Sequence, residues 1–171
     1  MATKTKFKIF NGPMPTTAAR AAVTTGTAIK TMLQVKGLTT LKILEWGVTG
    51  DGAAVAAGVE WELLTTALIA ATVTASVEAD IVRIPTRPSE VSDSRLAADF
   101  LTLSTTGTGY TSSGEGTVAA TKTFDSVFVT PTDNFIRVLS SPILVPAATI
   151  LRVRCKAAVA INAICWVVVE G

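Results

Sequence analysis

The chain has 171 residues, 15 Lys and Arg against 13 Asp and Glu, no histidine and two cysteines. That length fits one domain with a core of ordinary size, and a net charge of +2 gives no electrostatic reason to seek nucleic acid, which usually meets a strongly basic face. Without histidine there is no imidazole base for a serine or cysteine nucleophile and no His ligand for zinc.

Ala, Thr and Val dominate and aromatics are few, which suits strands packed through small side chains. High apolar content beside low charge density is what a subunit with much of its surface in interfaces shows, and equally what a very apolar monomer shows. No apolar run of about 18 residues predicts a membrane span. The start is basic but lacks the apolar run and cleavage site of a signal peptide.

Lys4, Lys6 and Lys8 alternate with Thr5, Phe7 and Ile9, so a short strand with a cationic face is expected, ending at Asn11-Gly12-Pro13. Pro13 and Pro15 then impose an extended path. Two readings stay open for this stretch. It is an edge strand whose lysines discourage aggregation, or it is an N-terminal arm, 1–15, ahead of a β-sandwich domain, 16–171. As an arm it adds to a neighbour's sheet or lies across an acidic partner, through Lys4, Lys6, Phe7, Lys8, Ile9, Phe10, Pro13 and Pro15.

A strand is expected over 27–36, broken by Gly37, and another over 41–48 with Leu44, Trp46 and Val48 on one face and Ile43 and Glu45 on the other. Gly50-Asp51-Gly52 is a turn signal. Val59, Trp61 and Leu63 then alternate with Glu60 and Glu62, a half-buried strand. The β-branched residues of 67–75 favour a strand over a short helix, and 79–84 is a further strand stopped by Pro85. The segment 85–99 changes composition and reads as a loop with a helical turn near 94–100, capped by Ser92 or Asp93.

A glycine- and serine-rich loop is expected over 107–116, then strands over 117–124, 125–130 and 135–139. At the end, Ile150, Arg152, Arg154 and Lys156 alternate with Leu151, Val153, Cys155 and Ala157, one face basic and the other apolar. The run 161–169 is apolar on both faces apart from Asn162 and predicts a central strand. The two are expected to pair as a hairpin about Val159, with the thiols of Cys155 and Cys165 offset, buried and free. The whole pattern predicts an all-β, single-domain antiparallel β-sandwich of jelly-roll type.

Chemistry-bearing groups are sparse. Glu60 and Glu62 share a strand face within reach of Glu45, but glycosidases set two carboxylates across a cleft, and a glutamate ladder on a sheet face is commoner. Those acids can instead meet Arg152, Arg154 and Lys156 across a sheet or a subunit boundary. Asp51 supplies one carboxylate where calcium needs six or more oxygens. The loop at 106–116 lacks the ending of a phosphate-binding loop. Trp46, Trp61 and Trp166 read as core, and Tyr110 as the most exposed aromatic. No catalytic residue, metal site, cofactor or small-molecule ligand is expected.

Several stretches together carry a resemblance: Asn11-Gly12-Pro13-Met14-Pro15-Thr16-Thr17, Thr25-Gly26-Thr27-Ala28-Ile29-Lys30-Thr31, and Glu45-Trp46-Gly47-Val48 with Asp51-Gly52. To these are added Gly107-Thr108-Gly109-Tyr110-Thr111, Glu115-Gly116-Thr117, and Leu151-Arg152-Val153-Arg154 through Asn162-Ala163. The chain resembles small proteins found among the virion structural genes of tailed phages that infect actinobacteria, regarded, where a role is assigned, as minor capsid (decoration) proteins. The resemblance implies a non-enzymatic protein of the capsid surface, assembled in the host cytoplasm, with the major capsid protein as partner. A homotrimer is the natural arrangement, its boundary closed by Arg152, Arg154 and Lys156 against Glu60 and Glu62. A second reading, a receptor- or carbohydrate-binding module of a phage head or tail, rests on Tyr110 with the 85–99 loop.

Overall fold

The computed structural model describes residues 4–14, 19–52, 57–84 and 96–171. Among them the chain forms twelve strands: β1 (Lys6–Phe10), β2 (Val23–Thr24), β3 (Lys30–Lys36), β4 (Leu41–Gly50), β5 (Val59–Thr65), β6 (Thr72–Ala75), β7 (Val82–Ile84), β8 (Gly109–Gly114), β9 (Lys122–Val129), β10 (Asn134–Val145), β11 (Ile150–Ala157) and β12 (Asn162–Glu170). No α-helix occurs among the described residues. Single 3-10 turns stand at Glu78–Asp80 and Ala97–Asp99. The second falls in the expected helical turn, whose proposed caps, Ser92 and Asp93, lie outside the described residues.

The strands form two antiparallel sheets. The first has the order β10-β4-β12-β1-β7, with β2 also on β12; the second has β6-β8-β3-β11-β5-β9. Their inward faces share one apolar cluster. Phe7 and Ile9 enter it from β1, Trp46 and Val48 from β4, and Ala163, Cys165, Val167 and Val169 from β12. Leu33, Val35, Trp61, Leu63, Leu151 and Val153 meet them from the second sheet. Strict alternation along β5 and β12 makes this possible, since each second side chain points the same way.

The structure corrects several expectations, among them the loop expected over 107–116, which holds strand β8. β11 and β12 do not pair as a hairpin. β11 lies between β3 and β5 in one sheet, and β12 between β1 and β4 in the other. Two strands with apolar inner faces gain more by meeting across the core than by lying side by side.

The stretch expected as an edge strand or free arm is an interior strand, since β1 pairs with β12 on one side and β7 on the other. Phe7 and Ile9 are 2% and 1% exposed.

Along β4, Ile43 faces the core, contrary to its expected parity. Val168 pairs with Glu45 and Val169 with Ile43, so Leu44 is the extra residue of a bulge, and the faces swap at that point.

The runs 117–124 and 125–130 hold one strand, β9, preceded by a stretch without strand at 117–121. That stretch crosses the outside of the second sheet, with consequences for the site.

Candidate functional site

The outward face of β11 is basic, as the alternation predicts, yet two of its three cations are buried. Arg152 is fully buried, and its guanidinium donates to the backbone carbonyls of Glu115 (2.9 Å), Thr117 (3.1 Å) and Ile69 (2.7 Å). It also meets the Glu115 carboxylate at 3.2 Å. Glu115 in turn accepts from the Thr31 amide at 2.7 Å and the Thr31 hydroxyl at 2.6 Å. Arg154 donates to Glu62 at 2.6 Å and to the Val118 carbonyl.

The chemistry follows from the irregular path of 115–118. Strap carbonyls outside any ladder need donors, and a guanidinium supplies five in a planar fork. Burial lowers the Arg152 pKa, while the Glu115 carboxylate beside it pushes it back up. Three residues expected at a subunit boundary, Glu62, Arg152 and Arg154, therefore find partners within the chain: Arg154 pairs with Glu62, and Arg152 with Glu115 and the strap, its Nε alone left without a hydrogen bond. Glu60 and Lys156 differ: they stand opposite each other in register and join no ion pair among the described residues.

The residues expected to bind a partner divide by parity. Phe7 and Ile9 point into the core. Lys6, Lys8 and Phe10 point out from the first sheet, in register with Glu170, Val168 and Trp166 of β12. Lys8 Nζ lies 4.6 Å from the Trp166 ring centre and 5.4 Å from that of Phe10, within cation–π range. The Trp166 indole N–H donates to Glu45 at 2.7 Å, and Lys8 lies 3.8 Å from the same carboxylate. Lys4 and Lys42 flank Glu170 at 3.6 and 3.4 Å. Arg20 covers the Phe10 ring at 4.0 Å and donates to the carbonyls of Gly12 and Pro13 at 2.8 and 2.9 Å. Pro13 is exposed, and Pro15 lies outside the described residues.

This outer face continues onto β4 and β10. Gly47 lies beneath Trp166, where a Cβ would collide with the indole and with the Phe135 carbonyl. Beyond it, Ile136, Val138 and Leu144 project from β10 and are exposed. The face is thus an aromatic and aliphatic strip bordered by lysines and glutamates of both signs. Sequence reasoning assigned Trp166 to the core, and it is buried, at 8% exposure, but on the outer side of the sheet under Lys8 rather than in the cluster between the sheets; the β10 residues were overlooked. The available signal was β12 itself, whose apolar character on both faces requires a cover on the outside.

Tyr110 is not a loop residue. It lies in β8, half-buried, in register with Leu33 of β3 and Thr74 of β6, and burial raises its hydroxyl pKa. The 85–95 part of the associated loop lies outside the described residues. Both thiols are free and buried; burial pushes Cys155 up to about 12 and Cys165 well above the usual range. Among the described residues no three Cys, Asp or Glu side chains gather as a metal-ligand set. No family model, curated protein or solved structure matches the chain.

Proposed function

We propose that the chain is a non-enzymatic virion structural protein, a capsid decoration protein that binds across neighbouring capsomers and holds the shell together. The observation that carries this reading is the outer face of the first sheet. Its centre is half-buried Phe10 over buried Trp166 and Val168, its border alternates lysine with glutamate, and Ile136, Val138 and Leu144 are its exposed apolar surface. Apolar centre and charged border are the anatomy of a protein–protein contact. The resemblance to minor capsid proteins names the partner class, the major capsid protein. A protein bound only to the assembled shell stabilises that state by mass action.

The strand order supports a single-domain sandwich of jelly-roll type. The steps β3 to β4, β4 to β5, β9 to β10, β10 to β11 and β11 to β12 each change sheet, the path of a double-sheet jelly roll. Among the described residues nothing favours the receptor- or carbohydrate-binding reading, because Tyr110, its aromatic, is half-buried.

The test adds purified protein to shells that lack it. Wild type is expected to bind at micromolar concentration, and Lys8→Glu and Phe10→Ser to weaken binding about tenfold or more while the inner face of β1 keeps its packing. No binding, or binding indifferent to both substitutions, overturns the proposal.

A further inference from the structure

On the opposite side of the molecule, Phe128 of β9 is 71% exposed. It projects from the outer face of the second sheet, opposite Glu60 of β5, which is opposite Lys156 of β11. With Thr27, Gly58 and Ala157 these residues line an open cleft of about 360 Å³. One row down, Glu62 and Arg154 form an ion pair; Glu60 and Lys156 have none among the described residues. The row therefore combines a bare aromatic ring, a hollow beside it, and two charges of opposite sign with bonding capacity to spare.

We infer that this cleft is where a second copy of the chain docks, Phe128 of one copy entering the cleft of the other and Lys156 of one meeting Glu60 of the other. Three features identify the occupant. Both signs stand side by side, so the patch is its own complement when turned over, whereas a partner of one sign is attracted by one residue and repelled by its neighbour. Knob and hollow lie on the same patch, as a contact between identical surfaces requires. The volume is near the lower bound for small-ligand cavities, which suits one or two side chains rather than a folded segment. β9 is also the edge of its sheet, so its free backbone groups lie beside the contact and can extend it.

The inference rests on reading the chain as a subunit, and names the face that joins subunits as distinct from the face that meets the shell. The experiment is sedimentation of the purified protein without shells. Wild type is expected to associate, and Phe128→Ser, Glu60→Lys and Lys156→Glu each to raise the association midpoint about tenfold or more. A mixture of Glu60→Lys with Lys156→Glu is expected to associate although neither does alone, which also shows that both variants are folded. A wild type that stays monomeric, a Phe128→Ser variant of wild-type mass, or a mixture that stays apart overturns the interface. Because no shell is present, that outcome leaves shell binding through the first sheet to its own test. Conversely, an oligomer that ignores shells overturns the proposed function and keeps the interface.

Discussion

Arg152 shows how a single side chain organises an exterior. Its buried fork holds two strap carbonyls, the Ile69 carbonyl and one carboxylate, so removing it leaves three carbonyls without this donor and the Glu115 charge without its counter-ion. Arg152→Met is expected to lower stability by about 3–5 kcal/mol, read from the denaturant midpoint. Arg152→Met with Glu115→Gln should recover part of that loss, because the stranded charge goes too. A single variant within about 0.5 kcal/mol of wild type contradicts this account of the strap.

The thiols make a second prediction at this scale. A raised pKa means that the native state keeps a proton which the unfolded chain releases. Stability is therefore intact below the ordinary thiol value of 9.0 and falls as pH rises toward about 12 for Cys155. The slope is about 1.4 kcal/mol per pH unit for each thiol. Denaturation midpoints measured from pH 8 to 11 should fall less steeply in Cys165→Ala than in wild type. In the folded protein at neutral pH neither thiol should react with a disulfide reagent.

At the scale of the element, alternation is readable wherever no residue is inserted. Val59, Trp61 and Leu63 point inward and Glu60 and Glu62 outward, as their spacing requires. Leu44 defeats the same reasoning, because one inserted residue exchanges the faces of all that precede it, and nothing local in Leu41–Gly50 marks the bulge. The pairing of β11 and β12 was illegible for another reason. A short connection between two apolar runs serves a hairpin and a crossing between sheets equally well, and the choice is made by β3, β4 and β5, far away in the chain. The candidate face was half legible: Lys6 and Lys8 were visible by alternation, while Trp166 was hidden in a run apolar on both sides.

Gly47 belongs to this scale. It gives the β4 surface a floor low enough for Trp166 to lie flat and reach Glu45. Gly47→Ala is expected to cost about 1–3 kcal/mol by overpacking and to shift the tryptophan emission as the indole is displaced. An unchanged melting temperature and unchanged emission would count against this packing.

For the whole molecule, the proposed division of labour is between faces. The first sheet presents Phe10, the lysines and the exposed β10 residues Ile136, Val138 and Leu144; the second presents Phe128 with Glu60 and Lys156; the core between them holds both together. The N-terminal strand cannot be cut away as an arm could. Deleting residues 1–10 removes Phe7 and Ile9 from the core and bares β12, a loss of roughly 3–6 kcal/mol from side-chain burial alone. Against a total of about 5–15 kcal/mol, that deletion should leave the chain unfolded or aggregated by circular dichroism and sedimentation. A well-folded truncated protein would return the segment to the status of an arm.

The central claim is that this chain works by laying a rigid sheet face on a neighbouring protein. Imaging of the assembled particle reaches it most directly. Density for the two-sheet body is expected on the capsid surface at capsomer junctions, with β1, β4 and β12 turned toward the shell and Phe128 turned toward a sister copy. Particles that lack the protein, or that hold it with the Phe10 and Trp166 face open to solvent, would contradict it.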